Sequence, residues 1–435
     1  MSWIKYRKAL FPILIFFFLH PVVIFSATYD DVSETLSEIF DDYIDENEGT
    51  TSFRSLYIPS GGRAEALGSA FTALADDISF FEYNPAGSCQ LENTEAAIFH
   101  NSWISDSSLE TLSYVNRINN LGYGASLKCF YVPFTEYNIF GDNVSTGYYS
   151  ETTATLNVSY NFLAGYKFKG ICVGANLKGA FRSIPDYTDN DTDEIITDSG
   201  LSQSAIAAMT DIGVLLQFNA LKFYSSRDSN LNFGATIHNL GFIYTDLTSS
   251  DSDFSETLPT YFSTGIAYSF IRPVTITLEY QQPFNLSDLS TSEQWAASTG
   301  TSVIITPFFT MLGGFQLRGG SPRLTMGGEL KYNEVTFNIN YTLDMTSSTT
   351  PINRISVTAK LNLGDNGRYE LQQKIDEMYS TGLHLYANGE LEKAIEIWSE
   401  ILEYSPRFDP AIAGIESAQS SLELEQRIKE LQTLN

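Results

Sequence analysis

The sequence predicts an all-β transmembrane barrel of about 14 antiparallel strands, followed by a small all-α domain. Three features carry that expectation: an export signal at the start, a two-residue alternation of apolar and polar residues between about 95 and 364, and connectors that are long and short by turns.

Lys5, Arg7 and Lys8 precede an apolar stretch from Ala9 to Phe25, and cleavage is expected after Ser26 or Ala27, so residues 1–27 read as a signal peptide. Pro12, His20 and Pro21 interrupt the stretch, which leaves it short of the roughly 20 apolar residues of a spanning helix. No later window contains such a run, so the rest of the chain either is soluble or crosses a membrane as strands.

From Tyr29 onward, Val32, Leu36, Ile39, Phe40, Tyr43 and Ile44 recur at helical spacing among Asp and Glu, the pattern of a short acidic amphipathic helix. A Gly/Ser-rich passage, 50–63, and a small-residue, helix-like run from Ala64 to Ala75 follow. The run ends at Asp76 and Asp77, ahead of the turn signal Asn84-Pro85-Ala86-Gly87.

Beyond Glu95 the period becomes two. Ile171, Val173, Ala175, Leu177 and Phe181 share one face, while Cys172, Asn176, Lys178 and Arg182 share the other. The same holds for Leu156, Val158, Tyr160 and Phe162, for Val274, Ile276, Leu278 and Tyr280, for Val335, Phe337, Ile339 and Tyr341, and for Ile355, Val357, Ala359 and Leu361. Strands are expected to begin near 95, 109, 122, 151, 170, 204, 231, 260, 274, 294, 308, 323, 334 and 353. An even count brings both ends of the strand region out on one side of the membrane.

Connector lengths fit that parity. The longest, 134–150, 184–203, 242–259 and 284–293, follow odd-numbered strands, whereas short ones at 118–121, 271–273, Pro307 and Asn333 follow even-numbered strands. The connector 219–230 is the exception. Asp186, Asp189, Asp191, Asp193, Glu194 and Asp198 crowd one long loop, and Asp246, Asp251, Asp253 and Glu256 another. Lys167, Lys169, Lys222, Arg227 and Arg272 sit in the turns expected on the inner side. A soluble β-sandwich would alternate as well. The number of evenly spaced strands behind an export signal disfavours it, as do aromatics at strand ends, such as Tyr131, Phe134, Tyr160, Phe162, Tyr261 and Phe270, which suit interfacial girdles.

After Gly364 the pattern turns helical and charged. Gly382, Leu391, Ala394, Trp398, Ile401 and Pro406 fall at the spacing of one tetratricopeptide repeat, a helix-turn-helix of about 34 residues. Such a unit either caps the barrel or recruits a periplasmic protein partner.

Loss of the signal's three cations takes the formal net charge from −27 to about −30, which argues against nucleic acid and anionic surfaces as partners. Cys89, Cys129 and Cys172 are too few and scattered for a disulfide framework, and packing is their expected role. His100, His238 and His384 have no metal spacing, and neither a Gly-x-Ser-x-Gly elbow nor a phosphate-cradling loop is present, so neither enzyme activity nor a cofactor is expected.

The run Gly62-Arg63-Ala64-Glu65-Ala66-Leu67-Gly68-Ser69-Ala70-Phe71-Thr72-Ala73-Leu74-Ala75-Asp76-Asp77, followed by Phe81-Glu82-Tyr83-Asn84-Pro85-Ala86-Gly87, resembles the start of the FadL-like long-chain fatty-acid transporters of the outer membrane and their PorV-like relatives. Asn239-Leu240-Gly241 is a weaker motif similar to PorV-like members, and the added helical tail is similar to a spirochaete group of such proteins. The resemblance implies that Arg63, Gly68, Asp76, Asp77, Asn84, Pro85, Ala86 and Gly87 belong to a hatch that plugs a fourteen-stranded barrel. It also implies capture of a hydrophobic molecule or fatty acid near the loops, a shift of the hatch, and release into outer-membrane lipid or the periplasm. The acidic helix and the strand end Leu361-Asn362-Leu363 depart from the best-known transporters.

If the cargo has a carboxylate, lumen cations should hold it. Alternation turns Lys128, Lys178, Arg182 and Lys331 inward, together with His238. Each has a competing role as partner to a lumen Glu or Asp, and Arg63 could equally anchor the plug to the wall.

Overall fold

The computed structural model describes residues 45–104, 106–138, 140–189, 195–226, 228–245, 247, 256–319, 321–344 and 352–433. The expected signal peptide, the acidic helix and the charged loop residues Asp191, Asp193, Glu194, Arg227, Asp246, Asp251 and Asp253 lie outside them.

Fourteen strands follow one another around a closed barrel, every pair antiparallel. They are β1 (Glu95–Ser102), β2 (Ser108–Ile118), β3 (Leu121–Tyr137), β4 (Asn143–Phe162), β5 (Ile171–Ser183), β6 (Ala205–Phe218) and β7 (Leu231–Thr245), then β8 (Tyr261–Ile271), β9 (Val274–Pro283), β10 (Ala296–Thr306), β11 (Phe309–Arg318), β12 (Ser321–Tyr332), β13 (Val335–Asp344) and β14 (Ile352–Asn362). Closure is made by β1 on β14, in register from Glu95↔Asn362 to Ser102↔Ile355.

The alternation sends apolar side chains outward. Ile98, Leu112, Leu156, Leu177 and Ile339 are each more than half exposed, while Asn157, Ser159, Asn176, Asn338 and Asn340 are buried inside. A wall that is apolar outside and polar inside is the inverse of a soluble sandwich, and it is stable only where hydrocarbon replaces water. Among the described residues no helix is long and apolar enough to cross a membrane.

The end where β1 begins and β14 finishes is called the base here, and the other end the mouth. Tight connections, such as those after Ile118, Ile271 and Tyr332, lie at the base, and long ones, such as 184–204, 246–260 and 284–295, lie at the mouth. One expected loop is absent. β3 and β4 continue past the wall as a hairpin, so the stretch expected as 134–150 shrinks to 138–142. Residues 135–150 are mostly Thr, Ser, Tyr and Gly, which pair through backbone without an apolar face, so no period was visible there. Tyr261 also departs from expectation: it is buried in the lumen and stacks on His238 at 4.6 Å, and is not part of a girdle.

Three helices follow: α1 (Arg368–Ala387), α2 (Leu391–Tyr404) and α3 (Asp409–Thr433). Ala394 is fully buried between them, and a Cβ on Gly382 would stand 2.2 Å from Trp398 Nε1, so α1 and α2 approach as closely as that glycine permits. Pro406 lies in the turn after α2. The helices sit against the base. Tyr166 of the β4–β5 turn stacks edge-on to Phe408 at 5.0 Å, its N–H donates to the Arg407 carbonyl at 3.1 Å, and Asn366 Nδ2 donates to the Arg117 carbonyl at 2.9 Å.

Candidate functional site

The lumen is filled by residues 60–91. The helix expected over 64–75 is only one short turn, Gly62–Ala66, because Gly68 and Ser69 both adopt left-handed conformations at φ 64° and 66°. The chain then folds through two 3-10 turns, Ile78–Glu82 and Pro85–Cys89. Asn84 caps the second turn by accepting the Ala86 N–H at 3.0 Å, while its Nδ2 donates to the Thr72 carbonyl at 2.7 Å and the Val214 carbonyl at 3.2 Å. The expected rigid turn is thus also a clamp between plug and wall. Arg63 does not anchor to the wall. It closes the segment on itself, both carboxylate oxygens of Asp76 lying 2.8–2.9 Å from Nη1. The wall contact falls to Asp77, whose carboxylate meets Lys360 Nζ at 3.0 Å and accepts the Ser79 N–H at 2.9 Å.

Two sets of wall residues hold this plug. The first is a belt of inward glycines, where the plug touches strand backbone. An added Cβ would lie 2.4 Å from Cys89 N at Gly122, 2.2 Å from the Pro85 carbonyl oxygen at Gly174, 2.2 Å from Asn84 Oδ1 at Gly213, 2.2 Å from the Thr72 oxygen at Gly234 and 2.0 Å from Gly68 N at Gly314. Gly68 in turn faces the Phe315 backbone, and Gly87 lies against Phe80 and the Ala75 carbonyl with no room for a side chain. The second set satisfies the plug's backbone. Asn157, Asn176 and Asn340 donate to the carbonyls of Pro85, Phe81 and Gly62 at 2.9, 3.0 and 2.7 Å, and Glu279 accepts the Phe71 and Thr72 N–H groups, both at 2.8 Å. Sequence reasoning missed both sets. The signal was present: glycine inside a strand marks close backbone approach, and these asparagines alternate inward.

The lumen cations are already paired. Lys128 meets Glu82 of the plug, Lys178 meets Asp211 at 2.7 Å, and Arg182 meets Glu256 at 2.8 Å. His238 Nε2 lies 2.8 Å from Thr236 Oγ1 and 3.1 Å from the Tyr83 carbonyl, so it grips the plug. Lys331 stands apart near the base, largely exposed, 3.7 Å from Glu329. Asp211 is the hub. Fully buried, it also accepts Asn176 Nδ2 and the Asn239 N–H, each at 2.8 Å. Asn239 is left-handed at φ 56°, opposite a register shift between Thr210 and Ile212, and pairing of β7 with β8 ends beside it at His238↔Tyr261.

Lys128 and Lys178 line one small cavity, of about 30 Å³, with Leu56, Phe81, Asn239 and Tyr261. At roughly 10–15 Å³ per water this is room for two or three waters and no organic ligand.

These features define a class, a membrane-spanning β-barrel whose lumen is plugged by its own N-terminal segment. Residues 27–366 match the model of Uncharacterised protein family (UPF0164), and the chain belongs to that family. A UPF0164 protein of Treponema pallidum (strain Nichols) is 32% identical over 396 residues, covering 89% of this chain and 87% of that one, and a second from the same spirochaete is 28% identical over 390 residues, covering 88% and 78%. Among solved structures, the chain is similar to the Pseudomonas putida toluene transporter TodX (12% identity, TM-score 0.47, 69% of this chain and 96% of that one). It is also similar to a Pseudomonas aeruginosa FadL homologue (11%, TM-score 0.42, 70% and 97%).

Proposed function

We propose that the protein is an outer-membrane channel that takes up long-chain fatty acids or other hydrophobic small molecules, with its mouth outward and residues 365–435 in the periplasm. The supporting domain reading is a signal peptide at 1–27, an acidic helix and hatch at 28–94, a barrel at 95–364 and the helical tail beyond. An apolar molecule with an acidic head crosses a crowded polar outer surface poorly, and an open aqueous pore does not dissolve it. A plugged barrel answers both difficulties.

The observation that carries this reading is the way the plug is held. It adds no strand to the sheet and is bound by side-chain hydrogen bonds, the ion pairs of Asp77 with Lys360 and Glu82 with Lys128, and close contact, with no backbone ladder to break. Lys128 and Lys178 beside Leu56, Phe81 and Tyr261 would offer an acidic head and an apolar body their partners once the plug shifts.

The test is mass spectrometry of lipids extracted from the purified barrel, with passage of labelled fatty acid through liposomes, for the native protein and for a variant carrying Asn84→Ala and Pro85→Ala. The variant is expected to pass fatty acid faster. An empty barrel that passes none in either form sinks the proposal. A second reading, a PorV-like secretion or scaffold role through the tail, is favoured by the exposed stripe Leu424, Ile428 and Leu431 on α3. A protein complex lost on deleting 368–435 would support it.

A further inference from the structure

Upstream of the hatch the chain climbs the lumen to the mouth. Asn101 Nδ2 holds the Pro59 carbonyl at 2.8 Å, Lys128 holds the Ile58 carbonyl, and Glu151 accepts the Ser55 N–H at 3.1 Å. Nearer the rim, the Ser52 N–H donates to the Thr257 carbonyl at 2.9 Å, Asn47 Nδ2 donates to the Ser292 carbonyl at 3.1 Å, and Asp45 accepts the Gln294 N–H at 2.7 Å. Those last partners all belong to mouth loops. Ion pairs reach the same loops, Arg54 with Glu293 and Arg182 with Glu256, and the Ser52 hydroxyl joins the latter.

Phe53 lies at the centre of this strap and is fully buried. Its ring packs in an apolar pocket of Ala180, Ala205, Ala207, Met209, Ile243 and Leu258, with the Arg182 guanidinium 5.8 Å from its centroid. The wall thus gives this ring an apolar seat near the mouth, as it gives the hatch another at Ala97, Phe99 and Val115. Phe53 is also left-handed, at φ 54°, a conformation unfavourable for a bulky residue. An apolar side chain is thus held on a strained backbone, between polar contacts to the mouth loops on one side and to the wall on the other.

We propose that Phe53 is a built-in competitor of the ligand: the strap Asp45–Ile58 seats its ring where the apolar part of an incoming molecule first binds, and the molecule enters the lumen by displacing the strap. This rests on the uptake reading and on the mouth facing outward. The pocket suits a chain end or a ring, with an acidic head beside Arg182 once Glu256 withdraws. Retreat of the strap also removes Leu56 from the cavity next to Lys128 and frees Lys128 from the Ile58 carbonyl, so one movement opens a path from the mouth to the hatch.

The experiment measures binding of radiolabelled oleate to the full-length protein in detergent. Phe53→Ala vacates the pocket and should tighten binding by about tenfold, the share of a buried ring. Conversely, Ser52→Cys with Thr257→Cys, joined by a short bis-thiosulfonate linker in a background carrying Cys89→Ala, Cys129→Ala and Cys172→Ala, should abolish binding until reductant cleaves the link. Unchanged affinity in Phe53→Ala together with undiminished binding in the linked protein overturns the proposal and leaves uptake standing. If no form binds oleate, the uptake reading fails, and the strap is judged by maleimide labelling of Met209→Cys in the pocket. Faster labelling with Phe53→Ala and slower labelling when linked support a mobile strap, and equal rates overturn it.

Discussion

Two alanines should unseat the hatch and leave the barrel intact. At Gly174 of β5 a Cβ would lie 2.2 Å from the Pro85 carbonyl oxygen, and at Gly314 of β11 it would lie 2.0 Å from Gly68 N. Ordinary contact begins at 3.4 Å, so the plug must retreat by 1.2 Å (3.4 less 2.2) at one wall and 1.4 Å (3.4 less 2.0) at the other. β5 and β11 are six strands apart in a ring of fourteen, so the plug cannot slide from one clash without entering the other. Overpacking costs about 1–3 kcal/mol per site, and distant sites add, giving roughly 2–6 kcal/mol against the seated state. At about 1.4 kcal/mol per tenfold, the released population should rise by roughly thirtyfold or more. The assay is chymotryptic cleavage within 62–90 of the folded, heat-modifiable barrel, with conductance in planar bilayers as a second readout. Gly179→Ala, also on β5, meets nothing within 4 Å and is the control. If Gly174→Ala with Gly314→Ala protects the hatch as well as the control does, and conducts no more, the backbone-contact argument is wrong.

Asp211→Ala should lower the barrel's thermal stability in detergent by about 3–5 kcal/mol, because it leaves Lys178 buried without a counter-charge; an unshifted unfolding midpoint would contradict the hub role. Trp398→Ala should cost the helical tail about 3–5 kcal/mol and expose it to protease while the barrel stays folded, checked by limited proteolysis of the full chain. Hydrogen bonds from the N–H groups of Tyr369 and Gly367 hold the Asp365 carboxyl below its usual range. A carboxyl lowered in the folded state stabilises above its unfolded pKa of about 3.9 and loses that effect as pH falls through the folded value. Amide exchange at Tyr369, corrected for intrinsic rate, should therefore be flat from neutral pH to about 5 and accelerate below about 4; Asp365→Ala should show no such step.

The sequence by itself determined the barrel, because lipid and lumen impose opposite solvents on alternate residues and therefore write a strict period of two. Ile171 to Arg182 displays that period, and the start of β5 was legible to within a residue. Where neither solvent acts, as in the hairpin beyond Phe134, the period vanishes and so did the prediction. The plug motif was legible as a turn, since Asn84 and Pro85 restrict their own backbone locally. Its contacts were not. That Arg63 serves Asp76 while Asp77 serves Lys360, that Gly174 and Gly314 are seats, and that Lys128 is taken by Glu82 all depend on which segments meet after closure, and the pairs are separated by 13 to 283 residues. Only the tertiary structure could place Phe53 in its pocket, because that pocket is shared among β5, β6, β7 and a mouth loop, and no local stretch of chain encodes it.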